Sequence, residues 1–424
     1  MSREMKDSGV EWIGEIPEDW DVKRIKHAVV QMGSGTTPNS DNSNFYDGNI
    51  AWIQSGDLYN TPIITKTSKT VTEQAIQRCS ALKIYHKPYI VIAMYGASVG
   101  NVSIASIDAC TNQACCIIKP NDNNNIDYLK YWLEVCKTDF IRKSVGGGQP
   151  NISQDKVREQ TYLCPSPTEQ QQIVHFLDRK CTAIDTAIEK TKKSIEKLEE
   201  YKKAVITKAV TKGIDPNAKM KDSGVEWIGE IPDGWSVIKL KYLISLRSQK
   251  AGNDKNGYIA LENIEKGTGK FIGQNFLPEG DAAIIKKGDV LFNKLRPYLN
   301  KSYLSDQDGC CSNEFLVMIP KKISAEYLFY ITLSAGFVKV IDNSTYGTKM
   351  PRANPNFVIN TSITMPQTCI EQQQIVHFLD RKCTAIDNAI EKKKKAIEKW
   401  EEYKKALIYY AVTGKIDCRN EVIE

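Results

Sequence analysis

The sequence has no long apolar run. Its longest candidate, Tyr89 to Tyr95, is strand-sized and far short of the ~20 residues that span a membrane. Met1-Ser-Arg-Glu-Met-Lys-Asp7 lacks the apolar core of a secretory signal, so the expected location is cytoplasmic. Histidine is scarce, with four in 424 residues, and none of the twelve cysteines forms a Cys-x-x-Cys. Zinc-type ligand spacing is therefore missing. The adjacent pairs Cys115-Cys116 and Cys310-Cys311 sit at the edges of β-like runs and read as buried, reduced thiols. No metal and no cofactor is expected. Charge of one sign does not dominate either: 57 Lys+Arg stand against 51 Asp+Glu, a net +6. That balance tolerates a polyanionic partner without demanding one. With 25% charged and 41% apolar residues, the chain reads as an ordinary folded protein. At ~100–200 residues per domain it has room for two or three domains.

What is present is a duplication. Met5-Lys-Asp-Ser-Gly-Val-Glu-Trp-Ile-Gly-Glu-Ile-Pro17 recurs unchanged from Met220 to Pro232, and Glu169 to Asp185 recurs unchanged from Glu371 to Asp387. The middles, about 18–165 and 233–367, are unlike in sequence. The domain reading is a leader with a first middle (1–165), a first repeated helix (166–215), a second leader with its middle (216–367), and a second repeated helix with the C-terminal tail (368–424).

Each repeated tail has the marks of a helix start. Ser166-Pro167-Thr168-Glu169 offers an N-cap serine, proline at the first helical position and glutamate at the third; Thr368 and Glu371 hold the same capping-box places. A 3,4 spacing then predicts a coiled-coil seam through Ile184, Ile188, Ile195, Leu198 and Val205, and through Ile386, Ile390, Ile397, Trp400 and Leu407. Because the second middle intervenes and a compact domain returns its ends close together, the second helix should run antiparallel to the first. Val174 to Ala209 would span on the order of 50 Å at ~1.5 Å per residue. The middles read as mixed α/β: strand-like Ile50–Ile53, Tyr89–Met94 and Ala114–Ile118 in the first, and Gly257–Leu261, Asp289–Phe292 and Phe315–Ile319 in the second. The expected fold class is α+β, two mixed α/β domains separated by two long antiparallel helices with a pseudo-twofold internal repeat.

These features together resemble the specificity subunit of a type I restriction-modification system. The likeness rests on the leader Gly9-Val-Glu-Trp-Ile-Gly-Glu-Ile-Pro17, Ser34-Gly-Thr-Thr-Pro38, Trp52-Ile-Gln-Ser-Gly-Asp57 and Thr111-Asn-Gln113. It continues through Gly148-Gln-Pro-Asn-Ile-Ser153, Pro165 and Glu169-Gln-Gln-Gln-Ile173, and covers nearly the whole chain twice. The second middle departs from it, with Arg296-Pro-Tyr-Leu-Asn300 where the first has Gly96-Ala-Ser-Val-Gly100. The resemblance implies two target recognition domains, each reading half of a bipartite double-stranded DNA site. It implies helices that act as a ruler and dock two methyltransferase subunits, restriction subunits that join the complex, and no catalysis by the chain itself. Half-sites on one face of B-DNA lie ~34–36 Å apart or multiples of it, a distance such a ruler can serve.

Loop residues able to touch DNA are Ser34, Thr36, Thr37, Gln54, Ser55, Asn112 and Gln149 in the first middle. In the second they are Arg247, Lys250, Asn293, Lys294, Arg296, Lys349 and Arg352, since Arg, Asn and Gln read base edges bidentately. Residues 233–367 hold 17 Lys+Arg against 12 Asp+Glu, and residues 18–165 hold 15 against 14, so the second middle should lean more on phosphates.

Catalytic look-alikes fail on context. Gly96-Ala-Ser-Val-Gly100 has the nucleophile-elbow string, but Asn101-Val-Ser-Ile104 after it reads as a strand where a helix is required. Glu200-Tyr-Lys202 and Glu402-Tyr-Lys404 fall on the helix seam. Asn354-Pro-Asn-Phe357 lacks a glycine-rich cofactor loop and reads as a turn, and Gly267-Thr-Gly-Lys270 reads as a hairpin. A scaffold presenting two variable protein-binding domains on a coiled coil is the competing reading. Steep weakening of DNA binding with salt separates the two.

Overall fold

Each repeat ties its long helix to its own α/β domain through the same few hydrogen bonds. The computed structural model describes residues 3–144, 150–252, 256–273, 281–347 and 349–420. Contacts divide the chain into two units, residues 1–189 with 396–424, and residues 190–395. The division cuts both long helices, Pro167–Lys212 and Cys369–Val412, whereas the sequence reading treats each as a separate segment. The reason is packing. Each α/β domain buries the start of its own helix together with the end of the other repeat's helix.

In the first unit a five-stranded sheet runs in the order Val29–Ser34, Cys115–Pro120, Tyr89–Ala93, Val102–Ala105, Ile63–Ile64. A three-stranded sheet places Tyr46–Ile53 between Ala109–Thr111, parallel to it, and Lys69–Val71. Tyr89–Ala93 is buried on both faces, which explains its unbroken apolar run. The second unit repeats the plan: Ile244–Leu246, Phe315–Pro320, Val290–Asn293, Tyr303–Leu304 in one sheet, and Tyr258–Ile259, Gly309–Ser312, Ala282–Ile285 in the other. Each unit then adds two short helices, Ile126–Val135 and Lys137–Lys143 in the first, Ala325–Leu333 and Ala335–Asn343 in the second.

The long helices start where the caps require. Glu169 N–H donates to Ser166 Oγ at 3.3 Å, and Glu371 N–H to Thr368 Oγ1 at 3.1 Å. The capping box is incomplete, because the glutamate carboxylate is used elsewhere. Glu169 accepts from the Trp20 indole at 3.0 Å and pairs with Arg3, and Glu371 accepts from the Trp235 indole at 2.8 Å. The next residue clamps the domain: Gln170 Oε1 accepts from Asn125 N–H, and Gln372 Oε1 from Ser324 N–H. Buried tyrosines close the other side. Tyr128 Oη donates to the Val412 carbonyl at 3.3 Å and Tyr327 Oη to the Val210 carbonyl at 3.1 Å, each satisfying a carbonyl that a helix end leaves open.

Along the seam, burial is uneven. Ile184, Ile188, Ile386, Ile390 and Leu407 are buried, Ile195, Leu198, Val205 and Ile397 are half-buried, and Trp400 is 40% exposed. Trp400 stacks edge-on with Tyr403 at 6.1 Å instead of entering the seam. In the second unit Lys202, itself buried, donates to Asp387 at 2.8 and 3.0 Å. In the first unit the duplicate pair Lys404–Asp185 lies at 2.7 and 2.6 Å but more exposed.

Candidate nucleic-acid interface

In the first unit, three strands end on one rim because of how they pair. Ser34 pairs with Cys116, Ala93 with Cys115, and Ile53 with Thr111 in parallel. The segments after these strands therefore converge. Gly35 N–H donates to Thr111 Oγ1 at 2.9 Å, and Thr37 Oγ1 donates to Gln113 Oε1 at 2.7 Å. Asn112 N–H donates to the Ile53 carbonyl, and its side-chain oxygen accepts from Ala114 N–H at 3.1 Å. Asp57 accepts from Gln54 N–H at 2.8 Å and holds the Ser55–Leu58 turn. Of the expected residues, Ser34, Thr36, Thr37, Gln54, Ser55 and Asn112 thus share this rim, half-buried or exposed. Gln149 lies outside the described residues. Tyr95 bridges to Asn151 on the same rim and is 39% exposed; neither residue stands out in the sequence, because the pairing joins segments far apart along the chain.

The second unit builds the corresponding rim from the ends of Val290–Asn293 and Gly309–Ser312. Asn293 pairs with Phe315, and Leu295 bridges to Arg352 as Tyr95 does to Asn151. Lys294, Arg296 and Arg352 come together here, while Lys349 lies exposed in the turn just before Arg352. Tyr346, which bridges to Arg352, and Tyr298 are exposed beside them.

Two of the expected residues are held within the unit by their own hydrogen bonds and ion pairs. Asn293 is fully buried: its amide donates to the Leu295 and Arg296 carbonyls, and its oxygen accepts from Lys301 N–H. It shapes the loop and presents nothing outward. Arg247 is largely covered and bound bidentately by the buried Asp289 at 2.9 and 3.1 Å. Lys250 pairs with Asp281 on the surface.

The electrostatics differ between the rims. The first offers hydroxyls and amides. In the second, Arg352 is held bidentately by Glu314 at 2.7 and 3.2 Å, and burial pulls the Lys294 ammonium below the usual lysine range, partly offset by Glu314. The glycine-containing catalytic look-alikes are turns in the structure, whereas Asn354-Pro-Asn-Phe357, expected as a turn, opens a helix. Gly96–Ser98 is a single 3-10 turn followed by the strand Val102–Ala105, Asn354 caps the short helix Pro355–Asn360, and Gly267–Lys270 lies in a hairpin closed by Glu265 and Lys270. Among the described residues no cluster of His, Cys, Asp or Glu is placed to hold a metal ion, and no helix is long and apolar enough to cross a membrane.

Two α/β domains of one plan, each clamped to paired helices and each ending in a rim of different side chains, define a duplicated recognition protein. Residues 17–200 and 232–399 match the type I restriction modification DNA specificity domain, and the chain belongs to that family. It is similar to the type I restriction enzyme MjaIX specificity subunit of Methanocaldococcus jannaschii, 27% identical over 85% of this chain and 86% of that one. It is also similar to the MjaVIII specificity subunit of the same organism, 25% identical over 96% and 95% of the two chains. In fold it resembles a chain from a solved structure of type I restriction-modification complex assembly, with a TM-score of 0.71 at 13% identity over 95% of this chain and 99% of that one. The HsdS subunit of Thermoanaerobacter tengcongensis gives a TM-score of 0.51 at 14% identity, over 95% and 98%. The chain is a specificity subunit, not a catalytic one.

Proposed function

We propose that each unit's rim reads one half of a bipartite, asymmetric double-stranded DNA target, and that the long helices set the spacing of the halves and dock two methyltransferase subunits, which restriction subunits join in the full complex. The observation that carries this reading is the pairing of one backbone frame with two unlike rims. The frame bonds of Glu169, Gln170 and Tyr128 are repeated by Glu371, Gln372 and Tyr327. The rim side chains are not repeated: the first rim offers neutral amides and hydroxyls, the second arginine and lysine. Asymmetric rims suit an asymmetric target. Docking of partners on the helices is supported by aromatic residues left exposed on otherwise charged surfaces, Tyr201 on the first helix and Trp400, Tyr403 and Tyr410 on the second, a composition typical of binding hot spots.

The test removes one heptad from both helices in register, Ile188 to Ser194 and Ile390 to Ala396. Seven residues preserve the 3,4 alternation and shorten each helix by about 10 Å. Methylated-site profiling of the complex reconstituted with its methyltransferase partner should then show a spacer about three base pairs shorter, or loss of binding because the halves turn by roughly 100° around the duplex. An unchanged target with an unchanged spacer refutes the ruler.

A further inference from the structure

The turns Gly96-Ala-Ser-Val-Gly100 and Arg296-Pro-Tyr-Leu-Asn300 are unlike in sequence and alike in backbone. Gly96 N–H donates to the Pro150 carbonyl at 2.8 Å, and Arg296 N–H to the Pro351 carbonyl at 2.7 Å. Two residues earlier in the frame, Met94 N–H donates to the Ala114 carbonyl and Lys294 N–H to the Glu314 carbonyl. Both turns open and close in the left-handed region: Gly96 at φ +69° and Gly100 at +78°, Arg296 at +51° and Asn300 at +47°. Glycine adopts that conformation freely, while a side chain with a Cβ is strained there. At the closing position Asn300 has a structural use, because its amide donates to the Leu333 carbonyl.

Arg296 has no such use. Among the described residues its guanidinium has no hydrogen-bond or ion-pair partner, whereas the other two arginines of residues 233–367, Arg247 and Arg352, are bound by Asp289 and Glu314. A Cβ added at the equivalent Gly96 meets nothing within 4 Å, and Arg296 itself is half-buried with part of its surface open to solvent. The backbone beneath it is fixed, by Asn293 bonding the Arg296 carbonyl and by buried Pro297 at the first position of the turn. A strained, rigidly mounted and uncommitted guanidinium fits a recognition role better than a structural one. Its fork matches the O6 and N7 acceptors of guanine in the major groove.

We infer that Arg296 reads a guanine in the half-site bound by the second unit, and that the first unit, with Gly96 at this place, has no equivalent contact. This rests on the proposed DNA-reading function. The test compares the full chain, assembled with its methyltransferase partner, as wild type and as Arg296→Gly, on a pool of duplexes randomised in both half-sites. Glycine suits the left-handed turn, so the variant should fold and melt no lower than wild type. Discrimination at a single guanine of one half should fall roughly 5- to 150-fold, with the other half unchanged. Unchanged selectivity, or uniform weakening across all sequences with a shallower salt dependence, overturns the inference in favour of no contact or a phosphate contact. A wild-type complex that selects no bipartite sequence refutes the underlying reading instead.

Discussion

Asp387→Ala separates a buried ion pair from its exposed duplicate within one protein. Asp387 accepts from Lys202 on the first helix, and Lys270 from the hairpin closed by Glu265 reaches the same carboxylate at 3.0 Å. The Lys202 side chain is 8% exposed, so removing Asp387 leaves an ammonium in a covered site without its partner. Breaking a buried pair on one side costs about 3–5 kcal/mol. For a unit of about 200 residues, where 1 kcal/mol moves the midpoint by roughly 2–4 °C, that is a fall of about 6–20 °C. The duplicate Asp185→Ala removes a chemically identical partner from Lys404, but there the two side chains are 30% and 57% exposed. Water replaces the lost contact, so the cost should stay at about 0.2–1 kcal/mol, or under about 4 °C. The double variant Lys202→Met with Asp387→Leu should recover most of the loss, since an apolar pair of similar volume avoids the desolvation penalty. Calorimetry of the four proteins decides it. Equal losses for the two single variants would refute the argument that burial, not pairing, sets the value of these contacts.

Two further outcomes follow from the frame. Glu169→Ala leaves the Trp20 indole N–H without an acceptor and the covered Arg3 with Asp19 as its one remaining carboxylate partner, and should cost about 2–4 kcal/mol in denaturant titration. Glu371→Ala strands only the Trp235 indole and should cost about 1–3 kcal/mol. Thiol labelling of the native protein at neutral pH should strike the exposed Cys369 first; Cys181 and Cys383, pushed up to about 11 by burial, stay protonated and unreactive. Because their folded pKa is raised, the stability they contribute is complete below about pH 8.5, the ordinary thiol value, and is lost as pH climbs toward about 11. Rapid labelling of either at neutral pH would contradict their place in the helix packing.

The duplication, the caps at Ser166 and Thr368 and the strands at Tyr89, Cys115, Val290 and Phe315 are readable from the sequence, because each depends on local spacing. What depends on long-range pairing is not. Nothing near Glu169 in the chain announces that its carboxylate serves Trp20, 149 residues earlier. Asn293 looks like a base reader because its type is right, yet its loop needs all its hydrogen bonds. That Arg296-Pro-Tyr-Leu-Asn300 stands where the first middle has Gly96-Ala-Ser-Val-Gly100 is readable from the sequence, but the shared backbone is not, because arginine at positive φ is rare and sequence alone favours two different turns.

The same contrast limits how freely a rim of this kind can change. Exposed side chains such as Thr37 and Gln113 bond each other and nothing in the core, so exchanging them should alter stability by no more than about 0.5 kcal/mol. Gly35, one residue past Ser34, is different. A Cβ there would lie 1.9 Å from the Thr111 carbonyl oxygen, because Gly35 N–H must approach closely to reach Thr111 Oγ1. Asn293 and Asp57 are bound in the same way, one by its loop and one by its turn. Side chains of the rim can therefore vary only at positions between these fixed points, above a constant backbone.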